Sequence, residues 1–195
     1  MSRDIKAGNI LIDHNAHVYI ADLGACVCLS GLQQEIGKQK LAGTPCWMAP
    51  EVVSNHLYST QSDIWSLGIT AMELFKGVPP LARFDNEEVL LYIAHGNPPS
   101  LESYTDAFPS FPSSAFVSWL NGVLKKSPED RFTIDKVLNH RWLSQAEEGK
   151  EMLLSLLQTI PDQLVRDEWE IGEERYGNAG NRCDCSECVE IRVNL

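Results

Sequence analysis

At 195 residues, 44% of them hydrophobic, the chain has the length of one domain with an appendage and is too apolar to be disordered throughout. A formal charge of −11 excludes general binding to nucleic acid or to an anionic membrane, because both need a clustered basic surface. The apolar runs stop short of the about 18 residues a membrane span needs, and Met1-Ser-Arg-Asp4 puts an acid where a secretory leader is apolar, so a cytoplasmic or nuclear location is expected.

In chain order, Asn9–Ile12 and Val18–Ala21 are short β-branched runs around Asp13-His-Asn-Ala16, which predicts a hairpin with a polar turn. Ala25 to Gly43 reads as a loop, and Pro50 opens a short helix through Val53. The clearest helix is Thr60–Lys76, with Ile64, Leu67, Gly68, Ala71 and Leu74 at helical spacing and Gly77 followed by Pro79-Pro80 as its stop. Trp65, Ile69, Met72 and Phe75 occupy its other faces, so it reads as apolar almost all round and central to the domain. Weaker helices are expected at Glu87–His95, Ser114–Lys125, Ile134–Asn139 and Gln145–Gln158, the last with a Ser144/Glu147 capping box.

After Pro161 the composition becomes charged and Gly-rich, which reads as a mobile tail. The six cysteines read as reduced thiols, with Cys26, Cys28 and Cys46 packed as small hydrophobes. Cys183, Cys185 and Cys188 offer Zn²⁺ three thiolates where a structural site takes four ligands, so a plain cysteine tail is the simpler reading.

Arg3-Asp-Ile-Lys-Ala-Gly-Asn9 places a carboxylate, a cation and an amide oxygen within a few residues. Phosphoryl transfer asks for those three types: a base for the attacking hydroxyl, a charge near the γ-phosphate and oxygen ligands for Mg²⁺. Asp22-Leu-Gly24 follows the hairpin, then come Gly43-Thr-Pro-Cys-Trp-Met-Ala-Pro-Glu51, Ser62-Asp-Ile-Trp-Ser-Leu-Gly68 and Pro128-Glu-Asp-Arg131. In this order and spacing, the five motifs resemble the C-terminal lobe of a eukaryotic Ser/Thr protein kinase over about residues 3–143. Gly43–Trp47 and Asn97-Pro-Pro-Ser-Leu-Glu102 are most similar to Ste20-like kinases, in the WNK-responsive germinal-centre branch.

The resemblance implies the protein-kinase α+β fold, here as a mainly helical lobe with a short β-hairpin. Residues 1–144 would form the kinase portion, 145–170 a helical extension and 171–195 a disordered tail. It implies Asp4 and Lys6 as catalytic residues, Asn9, Asp22 and Gly24 as ATP-binding residues, and Asn9 and Asp22 as Mg²⁺ ligands. Thr44 would bond the catalytic aspartate and lysine and face the substrate. Arg3, Asp63, Glu51 and Arg131 would be structural, Asp63 holding the catalytic-loop backbone and Arg131 pairing with Glu51. Protein substrates and an upstream kinase are the implied partners.

Three positions depart from the pattern: Ser2 for His, Phe132 for Pro, and Lys40 where Ste20 relatives carry an activating phosphothreonine, which argues against that control here. The nucleotide-covering lobe would lie upstream of the catalytic loop, so this chain by itself is expected to be inactive, with an apolar face open to association. The alternative is a non-catalytic module that uses the substrate-facing lobe as a decoy or scaffold.

Overall fold

The computed structural model describes residues 1–26, 42–104 and 111–160. Cys28, Lys40 and the tail cysteines, with the expectations attached to them, lie outside the described residues. Strands β1 (Ile10–Ile12) and β2 (Val18–Ile20) pair antiparallel, with Leu11 opposite Tyr19. The turn between them is closed by one side chain. Asp13 accepts from the Asn15 and His17 N–H groups, at 2.9 and 2.8 Å, and from His17 Nδ1 at 2.9 Å.

Six α-helices follow among the described residues: α1 (Pro50–Asn55), α2 (Thr60–Lys76), α3 (Asn86–His95), α4 (Ser114–Val123), α5 (Ile134–Leu138) and α6 (Ala146–Leu157). Their starts are chemically marked. Pro50 opens α1, Ser59 and Ser62 form a reciprocal cap on α2, and Asp85 and Glu88 do the same for α3. At the α6 start, Ser144 Oγ donates to the Arg141 carbonyl at 2.7 Å and the helix begins at Ala146, so Ser144 is not its N-cap. The Glu147 half of the expected capping box lies outside the described side chains.

Helix α2 is central. Ile64, Trp65, Ile69 and Met72 are buried in one core with Phe116, Trp119 and Val123 of α4 and with Met48 and Val52 beside α1. Trp142 closes that core from below, its ring 4.6 Å from Trp119 and 4.8 Å from Phe116. The expectation of all-round apolarity needs two corrections. Leu74 is 66% exposed, and Ser62, Ser66 and Thr70 are buried although polar. Cys26 also departs from expectation, being exposed, while Cys46 is partly buried. No described helix is long and apolar enough to cross a membrane.

Candidate active site

The buried hydroxyls of α2 form a stripe with Glu73, because residues 62, 66, 70 and 73 share one helix face. That stripe holds two loops. Ser66 Oγ donates to the Trp47 carbonyl at 2.7 Å, and Thr70 Oγ1 reaches the Ile5 carbonyl at 3.3 Å. Glu73 Oε2 accepts from both the Ala7 N–H, at 3.0 Å, and Trp47 Nε1, at 2.9 Å. One turn into α2, the two Asp63 oxygens accept from the Ser2 and Arg3 backbone N–H groups at 2.8 and 3.0 Å. Arg3 sits at φ 68°, a left-handed conformation that these bonds hold against its steric cost. Burial pushes the Asp63 carboxyl above the ordinary 3.8, and the two backbone bonds oppose the rise.

On this footing the chain from Asp4 to Asn9 meets Thr44. Thr44 Oγ1 donates to Asp4 Oδ1 at 2.7 Å and accepts from Lys6 Nζ at 2.8 Å. Lys6 Nζ also pairs with Asp4 Oδ2 at 2.9 Å, and Asn9 Nδ2 donates to the same oxygen at 2.9 Å. Burial raises the Asp4 pKa, but the bonds from Lys6, Thr44 and Asn9 outweigh it and hold the carboxyl below 3.8. A carboxylate offers about four acceptor sites. Three are used, which leaves one on Oδ1 for a hydroxyl proton.

Thr44 reaches Asp4 because Gly43 precedes it. Gly43 has φ 114°, and a Cβ there would stand 2.8 Å from the Arg3 carbonyl. Only glycine permits that approach.

Asn9 is buried beside β1, and its carbonyl accepts from the Ala21 N–H at 2.7 Å, which puts Asp22 next to it across the hairpin. Asp22 is exposed, at φ 55°, and its Oδ1 accepts from the Gly24 N–H at 3.3 Å. Among the described residues, Asn9 Oδ1 has no hydrogen-bond partner. An uncommitted amide oxygen just before β1 and an exposed carboxylate just after β2 are hard donors and fit Mg²⁺, which keeps waters and phosphate oxygens in its other positions.

At the far side of α2, Arg131 meets Glu51 through two bonds of 2.7 Å, Nη1 to Oε1 and Nη2 to Oε2. Ser62 Oγ donates to the same carboxylate at 3.1 Å. Phe132 uses the N–H that proline lacks to bond the Gly122 carbonyl at 3.0 Å.

The family model for the protein kinase domain matches residues 1–143. The chain belongs to the protein kinase family. Among curated relatives of this kinase chain, it is 38% identical to a serine/threonine-protein kinase, fray2, of Dictyostelium discoideum over 159 residues, 82% of this chain and 15% of the relative. It is 42% identical to the serine/threonine-protein kinase ppk11 of Schizosaccharomyces pombe over 145 residues, 74% of this chain and 44% of the relative. It is 33% identical to germinal center kinase 3 of Caenorhabditis elegans over 165 residues, 81% and 28% of the two chains. The kinase chain thus spans less than half the length of each of these relatives.

Sequence reading did not single out Ser66, Thr70, Glu73 or Tyr58 in this kinase site. The signal for the first three was present: polar residues at helical spacing inside an otherwise apolar helix, Ser66 and Thr70 buried and Glu73 half-buried, so that each must find a partner.

Proposed function

We propose that this chain supplies the catalytic, substrate-facing lobe of a Ser/Thr protein kinase, in the WNK-responsive germinal-centre branch of the Ste20-like group. The observation that carries the reading is the Asp4–Thr44–Lys6 triangle, closed by contacts of 2.7, 2.8 and 2.9 Å. Asp4 orients a substrate Ser or Thr hydroxyl through its one uncommitted acceptor site and takes up the proton as the hydroxyl oxygen bonds to phosphorus. Lys6 stands where it neutralises charge on the transferring group. Thr44 fixes both and borders the acceptor. When bound, Mg–ATP would supply the phosphoryl group, its bond from the γ-phosphorus to the bridging oxygen breaking as ADP leaves; Asn9 and Asp22 would hold the metal, with Gly24 beside them. The branch is supported by the residues Gly43–Trp47 and 97–102 and by similarity to a relative named as a germinal center kinase. A cytoplasmic protein substrate and an upstream activating kinase complete the proposal.

The test joins this chain to the nucleotide-covering lobe of a Ste20-like kinase and follows transfer of radiolabelled γ-phosphate to a basic protein. Transfer is expected, with Asp4→Asn lowering it by about 10²–10⁴-fold. Thr44→Ser, which keeps both hydrogen bonds, should retain it, and Thr44→Ala should lose most of it. Transfer that is indifferent to Asp4→Asn would overturn the assignment.

A further inference from the structure

Two parts of the triangle come from segments 40 residues apart in sequence, Asp4 and Thr44, and something must hold the second against the first. Asp63 and Glu73 secure the Asp4 segment. On the Thr44 side, the chain two residues earlier is held by one phenol. Tyr58 Oη donates to the Ala42 carbonyl at 2.9 Å and accepts from the Ala42 N–H at 2.7 Å. A single side-chain oxygen therefore satisfies both backbone groups of Ala42, as a paired strand would. The ring of the same tyrosine lies under the Arg3 guanidinium, 5.1 Å from its centroid. Arg3 is the residue before Asp4, and its carbonyl is the atom against which Gly43 packs. Tyr58 thus touches the chain on both sides of the Asp4–Thr44 contact without touching either residue.

We propose that Tyr58 is a positioning residue: it latches Ala42 and Arg3 together and so sets the Thr44 hydroxyl against the Asp4 carboxylate. Its relevance to phosphoryl transfer rests on the function proposed above, but the latch itself is a property of this chain and can be read without ATP or substrate. The ring and the hydroxyl have separate duties. The ring stacks on Arg3; the hydroxyl fixes Ala42.

Tyr58→Phe removes only the hydroxyl. Thr44 Oγ1 donates to Asp4 Oδ1, so a loosened Ala42 should let these two side chains drift apart. In NMR spectra of the full chain, Tyr58→Phe should weaken the nuclear Overhauser contacts between Thr44 and Asp4. It should also speed exchange of the Ala42 amide by about tenfold, the loss of roughly one hydrogen bond. Lys126→Met is the control. Lys126 Nζ bonds the Ala94 and Gly96 carbonyls at the end of α3, so this variant should lower the melting temperature and leave the Thr44–Asp4 contacts as they were.

Unchanged Thr44–Asp4 contacts in Tyr58→Phe, or an equal weakening in both variants, overturn the latch. If Tyr58→Phe does not fold, the reverse perturbation decides. Coupling is reciprocal, so Thr44→Ala, which takes the hydroxyl away from Asp4, must quicken exchange of the Ala42 amide, and an unchanged amide rejects the proposal. A failed phosphotransfer assay, by contrast, bears only on the kinase reading.

Discussion

Arg131 carries a charge on a side chain with no exposed surface, beside a Glu51 side chain that is 9% exposed. Its five N–H donors all have acceptors: Glu51 twice, and the Gln61, Lys125 and Lys126 carbonyls at 2.8, 2.7 and 3.1 Å. Trp65 stacks on the guanidinium plane at 5.1 Å. Arg131→Met should therefore destabilise the fold by about 3–5 kcal/mol, because Glu51 is left buried and unpaired. Arg131→Lys is not a rescue: three rotating donors cannot reproduce the bidentate fork and reach three carbonyls. Urea unfolding checks both, and a loss below about 1 kcal/mol for Arg131→Met would mean that water reaches Glu51 freely. Cys46, near Glu73, has no reactive character, since burial pushes its thiol above 9.0.

Between elements, the tightest approach is α4 against the chain that follows it. Gly122 lies under the Phe132 ring, and a Cβ there would overlap that ring. Alanine favours helix over glycine by about 1 kcal/mol, yet Gly122→Ala should destabilise by about 1–3 kcal/mol through overpacking, read as a lower melting temperature. The hairpin supplies a pH prediction. Partial desolvation raises the Asp13 pKa, but the bonds from His17 and Asn15 outweigh it and lower it from 3.8 to about 2. A depressed folded-state pKa means stability that is present above 3.8 and lost as pH falls through about 2. Asp13→Asn should flatten that part of the acid-unfolding curve.

Period and punctuation made the elements legible: α2 was read from Thr60 to Lys76 because Gly77 and two prolines stop it. Asp4, Lys6 and Asn9, which the structure joins by hydrogen bonds, stood out in the sequence because their residue types match one reaction. Tyr58 and Lys126 were not readable, because their partners are main-chain carbonyls and amides, which leave no mark in a sequence. Leu74 was misplaced for a related reason: period assigns a face, but only tertiary packing decides whether a neighbour covers it.

At the scale of the molecule, the hairpin and Leu23 just beyond it carry one group of exposed apolar side chains. Leu11, Ile12, Tyr19, Ile20 and Leu23 are 38–54% exposed. Contiguous exposure of this kind marks a contact face, and it lies beside Asn9 and Asp22, where a nucleotide-covering lobe would sit in the proposed kinase. This chain should then associate at the concentrations of a light-scattering experiment, and a scattering mass that stays at that of one chain would refute the contact face.

The Glu51–Arg131 pair also has a consequence for synthesis on the ribosome. Its partners are 80 residues apart, and α1 and α2 are translated well before Arg131. Until that arginine emerges, burying Glu51 costs more than leaving it in water. The helices of the first half can form, but they cannot close over the carboxylate, so docking waits for the second half. A nascent chain stalled between α4 and Pro128 should thus remain protease-sensitive around Glu51, and one stalled far enough past Arg131 to release it should not.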